Sequence, residues 1–272
     1  MKRRPGNKLI KDQMHLLKGD IKPREDETVD SLPCGNLLIL QKKNGYRYSI
    51  DSYLLAAFVE EIPGTEALEI GSGSGVVSIL TAAAKDLNVT GVEIQEEMAD
   101  MSVRSVMMAG LSDKVRIVCC DIKNYPGPKV DVVLTNPPFR PLDTGRVNPI
   151  REKAVARHEL SLNLDTLIRK AYKLLKQGGR FYIVYPSWRM PDLISSLRAH
   201  HLEPKRIRCV HTSIDRNAEI CLVCAVKEGG KECIVERPLF IYSEDKIYHE
   251  EIKNMFQSLC FEKKTLTSRC DT

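Results

Sequence analysis

A chain of 272 residues with 43% apolar and aromatic side chains, 28% charged ones and a formal net charge of +5 is composed like a globular protein of one large or two small domains, which excludes a disordered, collagen-like or fibrous chain. No run approaches the roughly 18 uncharged apolar residues of a membrane-spanning helix, and the opening MKRRPGNKLIKDQ has no apolar core behind its basic residues, so a soluble, cytoplasmic protein with no membrane partner is expected. The charge is uneven: residues 1 to 24 hold eight Lys or Arg against Asp12 and Asp20, so a solvated basic tail and a contact to a polyanion such as RNA both stand open there.

From about residue 66 short β-branched runs alternate with helical stretches, the pattern of a parallel sheet with helices on both faces. Strands are expected at ALEIG (67–71), NVTGVE (88–93), VRIVCC (115–120), DVVLT (131–135) and RFYIVY (180–185), with helices near 75–85, 95–110 and 163–176. In the last of these helices Leu164, Leu167, Ile168, Ala171, Leu174 and Leu175 recur at helical spacing, Asn163 or Asp165 offers a cap, and Gly178 and Gly179 are expected to close it. A further helix near 191–200 leads to RIRCVHT (206–212) and AEICLVCAVK (218–227), which read as an antiparallel hairpin. Trp188, between the fifth strand and that helix, is expected to pack, with a wall of the target site as the alternative, and Cys119 and Cys120 to line the core or a pocket wall. Nine cysteines in such a chain read as reduced thiols. Cys221 and Cys224 form a CxxC, but residues three apart on a strand face opposite sides and cannot grip one zinc, so no metal is expected.

Seven strands ending in such a hairpin resemble the Rossmann-like sheet of the class I methyltransferases, and the resemblance implies the order 3-2-1-4-5-7-6. Without an internal repeat or linker, the expected organisation is a basic tail over 1–26, one catalytic domain over 27–258 and a C-terminal tail over 259–272.

Gly71-Ser72-Gly73-Ser74-Gly75 follows the first strand and opens a helix, where glycines let a ligand approach the backbone closely at the carboxyl edge of a sheet. A dinucleotide site requires Gly-x-Gly-x-x-Gly, whereas here the third glycine comes one residue early and Val76 takes its place. Glu93 ends the second strand about 20 residues after the loop, where a carboxylate can accept hydrogen bonds from ribose hydroxyls. Loop and acid together favour a ligand with a free ribose and no diphosphate. Asp121, after the third strand, can bind an adenine amine or merely cap a turn. The segment resembles motif I of the S-adenosylmethionine-dependent methyltransferases. That resemblance implies S-adenosyl-L-methionine as cofactor, with Glu69, Gly71, Gly73 and Gly75 as contacts, Glu93 and Ile94 at the ribose, and Asp121 with Ile122 at the adenine.

Asn136-Pro137-Pro138-Phe139 comes directly after the fourth strand. Two prolines hold Asn136 and Pro137 extended, so the Asn136 amide oxygen and the Pro137 carbonyl can converge on one point. A planar amino group such as adenine N6 is a poor nucleophile, and two acceptors binding its hydrogens stabilise the pyramidal nitrogen that attacks. Asn136 is counted with the cofactor contacts as well as the catalytic residues. Phe139 supplies a ring on which a base can stack, and it stands where 5-methylcytosine chemistry would need a cysteine.

Three more stretches narrow the resemblance: GYRYSIDSYLLAAF (45–58), VNPIREKAVARHEL (147–160) and RPLFIYSEDKIYHEEI (237–252). With motif I and NPPF they resemble the bacterial tRNA adenine-37 N6-methyltransferases acting on a valine tRNA. The resemblance spans roughly residues 27 to 258 and implies N6-methylation of an adenine in RNA, most specifically at tRNA position 37. It places Tyr48 to Asp51 at the methionine end of the cofactor. It also implies that Arg146, Asn148, Arg151, Lys153, Arg157 and His158 face the nucleic acid, although a solvated surface explains each of those side chains equally well. Two alternatives remain at this level: a protein glutamine N5-methyltransferase, since a glutamine amide is also a planar nitrogen, and a non-catalytic RNA-binding subunit that holds the cofactor.

Overall fold

The structure, a computed structural model, describes residues 21–32, 37–44, 47–60, 63–137, 163–243 and 247–260. Nine strands form its main sheet: β3 (Glu66–Ile70), β4 (Asn88–Glu93), β5 (Val115–Cys119), β6 (Val130–Thr135), β7 (Leu175–Pro186), β8 (Leu202–His211), β9 (Ala218–Lys227) and the two-residue strands β10 (Ile234–Val235) and β11 (Leu239–Phe240). They lie in the order β10-β8-β9-β7-β6-β3-β4-β5, with β11 also on β8. β3 to β7 run parallel to one another, and β9 is antiparallel to both β7 and β8. Among the described residues the sheet thus has nine strands rather than the seven expected. The additions are too short to carry a hydrophobic period, so alternation gives no sign of them.

Period-two alternation decides the layers. Val132, Leu134, Tyr182, Val184, Leu222 and Cys224 bury into one cluster, while Val133, Phe181, Ile183, Cys221 and Val223 bury into another. Helices α1 (Ile50–Phe58) and α2 (Val76–Lys85) cover the first face through Leu54, Leu55, Ile79 and Leu80. Helices α4 (Leu164–Leu174) and α5 (Met190–Ala199) cover the second through Leu167, Ile168, Leu193 and Leu197. Cys221 and Cys224 thus sit on opposite faces, and burial pushes their thiols up to about 12 and about 11. α6 (Glu250–Ser258) buries Ile252 on the first face.

A two-stranded antiparallel sheet, β1 (Glu27–Ser31) with β2 (Leu38–Lys42), stands apart from the main one. It docks on α3 (Glu96–Ala109), where Leu40 packs with Met98 and Met101 and its backbone N–H donates to Ser105 Oγ at 3.0 Å. The buried Arg104 guanidinium grips the Glu27 carboxylate bidentately, with Nη1 to Oε2 at 2.8 Å and Nη2 to Oε1 at 2.5 Å. Arg104 holds the Glu27 carboxyl below its ordinary range.

Three local expectations need correction. α4 ends at Leu174 and β7 begins at once, with Leu175 paired to Val130; the register shifts before Val132 meets Arg180. Gly178, at φ +70, and Gly179, where a Cβ would lie 2.9 Å from the Lys176 carbonyl, thus serve that irregularity rather than a helix cap. Trp188 does not pack but is 63% exposed. Cys119 is exposed and Cys120 half-buried, because β5 is the edge strand. No helix among the described residues is long and apolar enough to cross a membrane.

Candidate active site

The carboxyl ends of β5, β4, β3 and β6 are neighbours, so the parallel pairing sets Asp121, Glu93, the glycine loop and Asn136 side by side along one edge. Gly71, Gly73 and Gly75 have φ of +74, +54 and +85, a left-handed conformation that other residues adopt only with strain. A Cβ on Gly71 would point into open space, the kind of opening a ligand can enter. On Gly75 it would lie 2.3 Å from Ser102 Oγ, so this glycine is required for packing against α3. Gly91 on β4 has a related task, because a Cβ there would meet Ile117 at 2.7 Å and Ser72 at 2.9 Å.

Two buried carboxylates brace the loop from below. Glu93, 3% exposed, accepts the Gly73 N–H at 2.8 Å and the Gln95 N–H at 2.9 Å. Glu69, 2% exposed, accepts the Ser78 N–H at 2.9 Å and the Ser78 hydroxyl. Burial pushes its carboxyl up to about 8; the Ser78 hydrogen bonds oppose that rise and the nearby Glu93 charge adds to it. Beside Glu93, Ile94 is 42% exposed, an apolar side chain left at the ligand edge. Asp121 caps the turn Ile122–Asn124 by accepting the Lys123 N–H at 2.9 Å, while Ile122 is buried. Capping and adenine binding are compatible, because the cap uses one carboxylate oxygen.

The opposite wall is α1. Asn136 Nδ2 donates to Ser52 Oγ at 3.3 Å, which turns Oδ1 away from Ser52 and leaves the acceptor as the business end of the amide. Thr135 Oγ1 donates to the Ile70 carbonyl at 3.0 Å, tying the end of β6 to the start of the glycine loop. The buried Gln41 on β2 bridges two parts of the site, its Nε2 donating to Ser74 Oγ at 3.2 Å and its Oε1 accepting the Tyr48 N–H at 3.2 Å. Tyr48 stacks edge-on with Tyr53, 5.6 Å between ring centres, at the start of the helix that carries Asp51 and Ser52.

Of the residues expected at the site, Tyr48, Asp51, Glu69, Gly71, Gly73, Gly75, Glu93, Ile94, Asp121, Ile122, Asn136 and Pro137 fall on this edge or on the elements that wall it. Phe139 and the loop residues Arg146, Asn148, Arg151, Lys153, Arg157 and His158 lie outside the described residues. Sequence reasoning missed Gln41, Ser52 and Ser78. Ser52 lies inside the GYRYSIDSYLLAAF stretch, so its neighbourhood was visible though its partner was not; nothing in the pattern marks Gln41.

A family model described as the methyltransferase small domain matches residues 47–197, more than half of the chain. The chain belongs to that family. The open, left-handed glycine loop braced by Glu93 and Glu69 fits S-adenosylmethionine as the methyl donor. A relative from Flavobacteriaceae bacterium strain 3519-10, called tRNA1(Val) (adenine(37)-N6)-methyltransferase, is 28% identical over 150 residues, 54% of this chain and 63% of the relative. The alignment thus spans less than two thirds of that protein. A protein of the same name from Bacteroides thetaiotaomicron is 29% identical over 216 residues, 78% of this chain and 90% of the relative. Among solved structures, a predicted O-methyltransferase from Agrobacterium tumefaciens superposes with a TM-score of 0.63 at 18% identity over 78% of this chain and 98% of that one, a likeness of fold alone.

Proposed function

We infer that the protein methylates N6 of an adenine in RNA, at tRNA position 37 beside the anticodon. The observation that carries this reading is the Asn136 amide, whose nitrogen is engaged by Ser52 so that its oxygen is left as an acceptor at the end of β6. When bound, S-adenosylmethionine supplies an electrophilic methyl group on a sulfonium. Asn136 Oδ1 and the Pro137 carbonyl accept the two amino hydrogens, which stabilises the nitrogen as its lone pair leaves the aromatic system and attacks. No strong base is required, because the amino nitrogen becomes strongly acidic once alkylated. Glu93 orients the ribose and Asp121 with Ile122 receives the adenine of the cofactor. Phe139 stacks on the target base, and the cations of residues 146–158 face the RNA.

The names of the two relatives support an RNA adenine as substrate. Counted from β3, the long strands run 3-2-1-4-5-7-6, with β10 and β11 as additions on the outer edge, an order that supports the class I reading. The test compares tRNA nucleosides from a strain lacking this gene with those of its parent by mass spectrometry. Loss of N6-methyladenine in one tRNA species is expected, and an unchanged nucleoside profile would count against the reading.

A further inference from the structure

The single tryptophan of the chain is the least expected surface residue of the fold. Trp188 lies in the turn Ser187–Arg189 that follows β7, on the strand beside the one that carries Asn136, and it is 63% exposed. Ile183 pairs with Thr135, so Trp188 stands a few residues beyond the level of Asn136, at most about 13 Å along the chain at about 3.3 Å per residue. The β8–β9 hairpin turns at this same edge, because β8 runs parallel to β7 and β9 runs back. Between turn and hairpin lies a cleft of about 520 Å³ lined by Trp188, Asp215, Arg216, Asn217, Ala218 and Glu219, a volume in the range of small-ligand sites. Ser187 Oγ donates to the Ala218 carbonyl and holds the two walls together. The Arg189 guanidinium sits 5.4 Å from the Tyr185 ring centre and 5.8 Å from that of Trp188, and pairs with Asp192 at 3.6 Å.

We propose that this cleft receives a nucleotide flanking the target adenine, its base stacked on Trp188. The inference rests on the RNA reading given above. A flat apolar ring exposed beside a guanidinium, a few residues from the point of methyl transfer, matches the way unpaired bases are held: stacking on the ring and a cation for the phosphate. Arg189 and Arg216 provide the cations. Asp215 also lines the cleft, and a carboxylate there accepts from an exocyclic amine, so the cleft favours an amino-bearing base. The separation from Asn136 is short enough that the occupant is a near neighbour of the target in the same strand rather than a remote arm of the RNA.

Because the chain has one tryptophan, its fluorescence reports on this cleft alone. The purified full chain, saturated with S-adenosylhomocysteine, is titrated with unmodified total tRNA, and binding is followed in parallel by gel shift. Quenching that tracks the gel shift is expected. Trp188→Ala should weaken tRNA binding and raise KM for tRNA about tenfold or more, with cofactor affinity by calorimetry unchanged, and Trp188→Phe should restore most of the loss. Unchanged cofactor affinity also shows that the variant is folded. If tRNA binds without quenching and Trp188→Ala binds it as tightly as the parent, the inference is overturned while the RNA reading stands. If no tRNA binds and methyl label enters protein glutamine instead, the RNA reading fails and this inference fails with it.

Discussion

The proposed role of Asn136 requires its oxygen, and not its nitrogen, to face the target, and the hydrogen bond from its Nδ2 to Ser52 Oγ agrees with that orientation. Asn136→Ala should lower turnover by on the order of 10²-fold or more with cofactor affinity nearly intact, as expected when an acceptor used in the transition state is deleted. Ser52→Ala should cost less, about 2- to 10-fold in kcat, because it loosens the amide rather than removing it. Single-turnover methyl transfer with calorimetry on each variant checks both. Glu93 holds the Gly73 N–H as well as the proposed ribose site, so Glu93→Ala should weaken cofactor binding by about 1.5–3 kcal/mol, the worth of hydrogen bonds to a charged group. Unchanged affinity in calorimetry would remove Glu93 from the site. Glu69 makes a different prediction. Its carboxyl rises from an ordinary 4.5 to about 8, so between those values the folded protein keeps a proton that the unfolded chain has lost. That proton's contribution to stability is complete below pH 4.5 and fades as pH climbs to about 8. Urea midpoints of the cofactor-free protein should therefore fall over that window, and Glu69→Gln should flatten the fall. The residues legible in sequence were those with a fixed backbone or strand-end role, such as Gly71, Glu93 and Asn136. Ser52 and Gln41 act through long-range contacts that no local pattern records.

At the scale of elements, the β1–β2 hairpin is tied into the cofactor site from two sides. Gln41 joins it to Ser74 and Tyr48, and the Glu27–Arg104 pair clamps it to α3. Breaking that buried pair with Glu27→Ala leaves Arg104 with Asp100 but without its bidentate partner, and should cost about 3–5 kcal/mol in urea denaturation. A value near zero would mean the hairpin is not clamped through this pair. The alternating runs of β4, β6 and β9 were read from sequence to within a residue because each face of the sheet is buried and the period is enforced. β8 proved longer than its apolar run, starting at Leu202 where polar residues alternate with buried ones. Helix α1 and the hairpin escaped because they are short, and what fixes them is tertiary packing on α3 and the sheet. Trp188 was misjudged for a related reason: tryptophan is apolar enough to be assigned to the core, and only the turn geometry leaves it in solvent.

The whole molecule places, along a single sheet edge, Asp121 and Glu93, a glycine loop, the Asn136 amide and an exposed indole, in that order from β5 to β7. Fold class follows from sequence because the βα alternation and the terminal hairpin constrain topology strongly. Substrate class does not follow from fold, since one sheet of this kind hosts many chemistries, and the proposal rests instead on the Asn136 amide and on the names of the relatives. The most direct test of that substrate incubates the purified enzyme and methyl-labelled S-adenosylmethionine with unmodified total tRNA in one reaction and with release-factor and ribosomal proteins in another. Label recovered as N6-methyladenosine in tRNA, and lost with Asn136→Ala, is the expected result; label in protein glutamine with none in tRNA adenine would contradict it.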